Sequence, residues 1–207
     1  MRIVIFLFDG VTALDAVGPY ESLARIATSE VRFVSREAGP VRTGDGFLAL
    51  NADAQFDDIG EADLLIVPGG NVRGIRAVLG DPATLDWLRV IDATTRWTAS
   101  VCTGSLFLDA AGLLTGRRAS THWRARAMLA NYSPERVTID GKYWTSAGVS
   151  AGIDLGLLLC AEIAGREVAE AIELSMQYDP QPPFGTGDFT SAATAERVAI
   201  IERELRR

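Results

Sequence analysis

A chain of 207 residues is long enough for one domain or two small ones. Hydrophobic residues make up 48% of it and charged residues 23%, which is typical of a globular protein and excludes a disordered chain, a collagen-like repeat or a coiled coil. The formal net charge of −7 has the wrong sign for binding to duplex phosphates, so we expect no nucleic-acid partner.

Two cysteines, Cys102 and Cys160, are too few for a disulfide framework and fit a reducing cytoplasm. With His122 as the single histidine there is no local set of metal ligands, and we expect neither a metal nor a cofactor. The apolar run at residues 3–8 is too short for a signal peptide. The longest apolar stretch, residues 155–164, falls short of the roughly 18 residues of a membrane span. These features predict a soluble, cytoplasmic protein with no membrane partner.

In chain order, the first element is a continuous apolar run at residues 2–8, which predicts a strand buried on both faces. Gly18-Pro19 is then expected to open a helix over residues 20–27, because proline suits the first helical turn. The next predicted elements are a strand at 31–35, a hairpin at 41–51, a strand at 64–67 and a helix from Asp81-Pro82 to about residue 95.

In the second half of the chain, the sequence pattern predicts a strand at 97–101, helices at 103–111 and 123–131, and a hairpin at 136–146. Three further helices are predicted at 151–164, 168–175 and 191–206. Strands that alternate with helices predict an α/β fold: a single doubly wound domain over residues 1–207, with a mostly parallel sheet and helices on both faces. Ligands bind outside the carboxyl ends of the strands of such sheets. The loops after Phe8, Val67 and Val101 are therefore where a site is expected.

Cys102 falls on a predicted strand-to-helix turn, where the side chain projects over the end of the sheet as hydrolase nucleophiles do. The start of a helix supplies positive potential, which is expected to lower the pKa of a thiol. The backbone N–H groups of Thr103 and Gly70 are candidate donors to charge that develops on a substrate. The alternative is that Cys102 is a small core residue. We favour that structural role for Cys160, which sits inside an apolar helical run.

Asp15 is the candidate proton partner of the cysteine. It is flanked by Leu14 and Ala16, and a carboxyl in apolar surroundings tends to have a raised pKa and to carry a proton at neutral pH. The alternative is an N-terminal helix cap, although Gly18 is already a plausible cap for a helix that starts at Pro19.

His122 is the other candidate partner, since a nucleophilic cysteine usually works with a base. It lies twenty residues after Cys102, and Thr103 occupies the position directly after the cysteine. We favour a hydrogen-bonded structural histidine that lines the pocket, and a Cys–His pair remains the alternative.

An ordered set of motifs runs from about residue 3 to residue 185. The set comprises Leu14-Asp15 through Gly18-Pro19, Val67-Pro68-Gly69-Gly70, Val101-Cys102-Thr103-Gly104-Ser105, Thr121-His122-Trp123, and residues 110–114, 116–119, 151–154 and 178–184. With these motifs the chain resembles the ThiJ/PfpI family, whose domain has the class I glutamine amidotransferase-like fold, a flavodoxin-like architecture.

Within that family the chain is most similar to the isocyanide hydratases, which add water to an isocyanide to give an N-substituted formamide. The resemblance implies that Cys102 attacks the isocyanide carbon to form a thioimidate and that Asp15 manages the proton. It also implies that the Thr103 and Gly70 amides stabilise the intermediate. A small electrophilic substrate and a homodimer are further implications. The stretch that contains Gly148 and Val149 is expected to shape the pocket.

Two other hypotheses remain open. The same motifs match the N-terminal domain of AraC-type regulators, which would make the chain a non-catalytic ligand- or redox-sensing domain. Those regulators continue into a helix-turn-helix module, whereas this chain ends at Arg207, so we expect no DNA-binding module. The second alternative is a glyoxalase or deglycase, although those enzymes carry Glu where Asp15 stands. The family's peptidases carry His where Thr103 stands, and we therefore expect no peptidase activity.

Overall fold

The computed structural model describes residues 1–191 and 194–204. Contacts within the chain divide it into two compact units, residues 1–176 and residues 177–207. All the candidate site residues lie in the first unit. The expectation of a single domain over residues 1–207 stays a prediction.

Seven strands of the first unit form one sheet, and two more form a separate hairpin. In chain order the strands are β1 (Arg2–Phe6), β2 (Glu30–Ser35), β3 (Gly39–Arg42), β4 (Ala49–Ala52), β5 (Ala54–Gln55), β6 (Leu64–Val67), β7 (Trp97–Ser100), β8 (Val137–Asp140) and β9 (Tyr143–Ser146). The sheet order is β5-β2-β1-β6-β7-β9-β8, and every neighbouring pair is parallel except β8 with β9. This confirms the predicted doubly wound, mostly parallel α/β fold.

The helices of the described residues are α1 (Ala13–Leu23), α2 (Val72–Leu79), α3 (Pro82–Asp92), α4 (Ser105–Ala110), α5 (Ala151–Ala164), α6 (Arg166–Ser175) and α7 (Thr194–Glu204). Short 3₁₀ turns occur at Phe56–Asp58, Cys102–Gly104 and Trp123–Met128. Helix α7 belongs to the second unit, and the predicted helix there extends over residues 192, 193, 205 and 206, which lie outside the described residues. None of the described helices combines the length and the apolar character needed to cross a membrane.

The start of α1 differs from the prediction in a way that matters for the site. The expectation that Gly18-Pro19 opens a helix at residue 20 is wrong, because α1 begins at Ala13 and Pro19 lies inside it. Asp15 therefore sits in the first turn of α1, and the N-cap residue is Thr12. The interior proline is tolerated because it is buried against α5, where packing compensates for the backbone hydrogen bond that proline cannot make.

Other boundaries shift for local reasons. Helix α2 was not predicted, although Asn71 caps it by accepting a hydrogen bond from the Gly74 N–H at 2.8 Å. The helix predicted at 123–131 is a 3₁₀ turn, and the helix predicted at 103–111 begins with one. Helix α3 ends at Asp92, three residues earlier than expected. The central strands β1 and β6 are buried on both faces, as their continuous apolar runs predicted.

The close packing of α1 on α5 fixes where Asp15 lies. A Cβ atom on Gly156 of α5 would overlap Ser22 Oγ and would lie 2.9 Å from Pro19 Cα, so the two helices approach more closely than any side chain at residue 156 allows. The contact depends on glycine, and a larger residue would push α1 away.

We predict that Gly156→Ala destabilises the protein. Overpacking costs about 1–3 kcal/mol, which exceeds the roughly 1 kcal/mol that alanine gains over glycine in a helix. Urea denaturation measures the change in the free energy of unfolding. Gly60→Ala is the matched control, because no atom lies within 4 Å of the Cβ it would add. Equal stability of the Gly156→Ala and Gly60→Ala variants would contradict this account of the packing.

Candidate active site

Cys102 stands at the carboxyl end of β7 in a left-handed backbone conformation, with φ of 58°. The Cys102 N–H donates to Ala147 O at 2.9 Å, and the Cys102 carbonyl accepts from Thr121 Oγ1 at 3.1 Å. A Cβ on Gly104 would overlap Val67 O, so only glycine lets the turn pack against β6. The strained turn is thus held from both sides, which is the geometry of a nucleophile elbow.

The Asp15 carboxyl is fully buried beside this turn. Its Oδ2 accepts a hydrogen bond from the Gly69 N–H at 3.0 Å, and its Oδ1 has no hydrogen-bond partner among the described residues. Burial raises the pKa of Asp15 to about 7, and the Gly69 N–H and the Cys102 thiol act in the opposite direction. The raised pKa agrees with the expectation drawn from the apolar neighbours of Asp15.

The Cys102 thiol is in hydrogen-bonding contact with the Asp15 carboxyl. Burial and the charge of Asp15 raise its pKa far above the usual range, while the N–H and hydroxyl of Thr103 act to lower it. The expectation that the start of a helix lowers this pKa is therefore wrong, because the thiol is only 5% exposed and faces a carboxyl. Below about pH 7 both groups carry a proton, and above that pH Asp15 is ionised and the one remaining proton is on the Cys102 sulfur.

Thr103 connects the cysteine to the loop after β6. Its N–H and its hydroxyl act on the Cys102 sulfur, and its Oγ1 accepts a hydrogen bond from the Gly70 N–H at 3.2 Å. The Gly70 N–H is therefore committed to Thr103, and it does not point freely toward a substrate as the sequence suggested. Gly69 was not assigned a separate role, yet its N–H is the partner of Asp15, and a Cβ there would lie 2.6 Å from Thr103 N.

His122 and Gly148 lie next to the two residues that hold the Cys102 backbone, Thr121 and Ala147. A Cβ on Gly148 would come within 3.0 Å of His122 Cδ2, so the two predicted pocket residues touch. The His122 Nδ1 accepts from the Arg124 N–H at 3.3 Å and caps the turn that follows. Burial, reinforced by the Arg124 charge, lowers the His122 pKa and favours the neutral ring.

Val149 is half-buried in the turn that leads into α5, where its carbonyl accepts from the Gly152 N–H at 3.2 Å. Thr121 and Ala147 were not predicted to take part. Thr121 lies beside His122 in a recognised motif, but no sequence signal marks Ala147, which acts through its backbone.

Within residues 1–191 and 194–204, no group of three His, Cys, Asp or Glu side chains is placed to hold a metal ion.

Comparison with known proteins identifies a matching family model and several relatives. The family model described as DJ-1/PfpI matches residues 1–162. An isonitrile hydratase from Pseudomonas putida is 39% identical over 199 residues, which cover 94% of this chain and 86% of that protein. The HTH-type transcriptional regulator CdhR from Pseudomonas aeruginosa is 38% identical over 83% of this chain, but the match spans only 51% of the regulator.

Solved structures show the same fold. A ThiJ/PfpI family protein from Pseudomonas syringae superposes with a TM-score of 0.92 at 35% identity, covering 98% of this chain and 85% of that one. The oxidised DJ-1 of Toxoplasma gondii superposes with a TM-score of 0.77 at 24% identity, covering 86% of this chain and 99% of that one, which supports the fold alone.

The buried carboxyl predicts an unusual pH dependence of stability. Because the Asp15 pKa is raised to about 7, the folded state keeps a proton that the unfolded chain has lost, so stability falls as pH rises toward 7. Between pH 5 and pH 8 this contributes a loss of about 3 kcal/mol relative to Asp15→Asn, measured by denaturant unfolding at both pH values. Asp57→Asn, at an exposed position, is the control. Parallel pH profiles for the wild type and Asp15→Asn would disprove the raised pKa.

Proposed function

Because this chain belongs to the DJ-1/PfpI family, we propose that it is a hydro-lyase that adds water to an isocyanide and releases an N-substituted formamide. The observation that carries the proposal is the buried Asp15 carboxyl beside the buried Cys102 thiol, with the pKa of each group raised. The isonitrile hydratase relative, at 39% identity over nearly the whole chain, supports the same reaction.

An isocyanide carbon suits such a pair because it accepts a nucleophile and a proton on the same atom. In the first step the Cys102 sulfur bonds to that carbon as Asp15 takes the thiol proton. Asp15 then passes this proton to the isocyanide carbon. The product is a thioimidate, in which a hydrogen-bearing carbon is single-bonded to sulfur and double-bonded to nitrogen.

Water completes the reaction. It adds to the thioimidate carbon while Asp15 accepts one of its protons and passes it to the substrate nitrogen. The carbon–sulfur bond then breaks as the new hydroxyl becomes the formamide carbonyl, and the proton of that hydroxyl returns to the sulfur. The sum is isocyanide plus water giving formamide, with Cys102 and Asp15 restored.

Thr103 stabilises the sulfur whenever negative charge builds up on it. Its N–H and hydroxyl both act on Cys102, so charge that forms in the buried pocket meets donors that are already in place. Gly70 is a positioning residue in this scheme, because its N–H holds the Thr103 hydroxyl. His122, Gly148 and Val149 line the approach to Cys102, where they limit the size of the substrate.

The regulator relatives favour a second candidate function, a domain that binds an electrophile or senses oxidation at Cys102 without turnover. The HTH-type regulators CdhR and GbdR match this chain over about half of their own lengths. A deglycase from Pyrococcus abyssi is a more distant relative, at 27% identity over 72% of this chain, so methylglyoxal is the second substrate to test. The homodimer and the cytoplasmic location stay predictions.

The proposal predicts that the purified protein converts an alkyl isocyanide to its formamide, followed by mass spectrometry. Cys102→Ala should lower kcat/KM by at least about a thousandfold, and Asp15→Asn by at least about a hundredfold. Cys160→Ala is the matched control, since it removes the other buried cysteine from α5 and should keep the activity.

Two results would contradict the proposal. Formamide production that survives in Cys102→Ala would remove the nucleophile from the mechanism. A folded wild-type protein that produces no formamide would favour the sensing function, and Cys102-dependent consumption of methylglyoxal would favour the deglycase chemistry.

A further inference from the structure

A cavity of about 450 Å³ lies outside the carboxyl ends of β1 and β2. Its walls come from these two strand ends, the start of the β3–β4 hairpin, the Phe56–Asp58 turn, α2 and the start of α3. Its lining includes neither Cys102 nor Asp15. The volume is in the range of pockets that bind small molecules, and its place at the carboxyl edge of a parallel sheet is where such folds take ligands.

One wall of this cavity is aromatic. Phe6, Phe8 and Phe56 all line it, with the rings of Phe6 and Phe8 stacked 5.4 Å apart and those of Phe6 and Phe56 6.0 Å apart. Val78 from α2 adds an aliphatic contact. Such a wall accommodates an apolar group, and phenyl faces also attract a cation placed over them.

The polar part of the lining is mainly acidic. The lining contains three carboxylates, from Asp9, Glu37 and Asp81, and one guanidinium, from Arg36. Arg36 is already paired with Asp81, so the remaining charge of the lining is negative. A cationic ligand is therefore favoured over a neutral or anionic one.

Ser35 at the end of β2 adds a hydroxyl to the lining. It lines the cavity, and the residue is only 8% exposed. A serine hydroxyl at the cavity wall can accept a hydrogen bond from an occupant.

We propose that this cavity binds a small organic cation, specifically a protonated primary or secondary amine that carries an aromatic or aliphatic group. The apolar group packs against the Phe6, Phe8 and Phe56 wall. The ammonium faces the carboxylate of Glu37 and donates one N–H to Ser35 Oγ.

Isothermal titration calorimetry with benzylammonium tests the proposal, with benzyl alcohol and benzoate as neutral and anionic probes of similar shape. Benzylammonium should bind with a Kd below about 1 mM, and the other two at least about tenfold more weakly. Ser35→Ala should weaken benzylammonium binding about fivefold to tenfold.

Ala77→Trp provides the test of location. Ala77 lies on the exposed side of α2 and lines the cavity, so an indole there blocks the space without disturbing the core and should abolish binding. Glu170→Gln, on the surface of α6, is the control and should bind as the wild type does. Undetectable benzylammonium binding, binding that survives Ala77→Trp, or benzoate binding of equal strength would overturn the proposal.

Discussion

Burial of the Asp15 carboxyl against the Cys102 thiol is the constraint on which the rest of the site depends. Burial raises the pKa of both groups, and the charge of Asp15 raises that of the Cys102 thiol further. Above about pH 7 the pair therefore retains one proton, on the Cys102 sulfur, instead of presenting a thiolate with an ionised carboxylate. Addition to an electrophilic carbon that must gain both sulfur and hydrogen requires such a proton, held next to the nucleophile.

Three close backbone approaches keep this pair together, and each depends on a glycine. Gly156 lets α1 lie against α5, which sets the depth of Asp15 in the fold. Gly104 lets the turn of Cys102 pack onto β6, and Gly69 brings its N–H to Asp15 while leaving room for Thr103. The proposed geometry thus rests on residues with no reactive side chain, because the two reactive groups must be held together in a closely packed part of the fold.

Much of the fold was predictable from local patterns. The apolar runs of β1 and β6 marked buried parallel strands, and the position of Cys102 between a strand and a helix marked the elbow. The start of α1 was not predictable, because Pro19 signals a helix start by local propensity and only its burial against α5 reveals an interior position. The raised thiol pKa and the commitment of the Gly70 N–H to Thr103 also depend on contacts between distant segments.

The most direct test of the protonation states of Asp15 and Cys102 is infrared spectroscopy of the wild-type protein across a pH titration. The Asp15→Asn and Cys102→Ala variants are used to assign the bands. The account predicts that the carboxyl C=O band of Asp15 disappears as pH rises through about 7, while the S–H band of Cys102 persists above that pH. Loss of the Cys102 S–H band at or below neutral pH, with Asp15 ionised throughout, would contradict it.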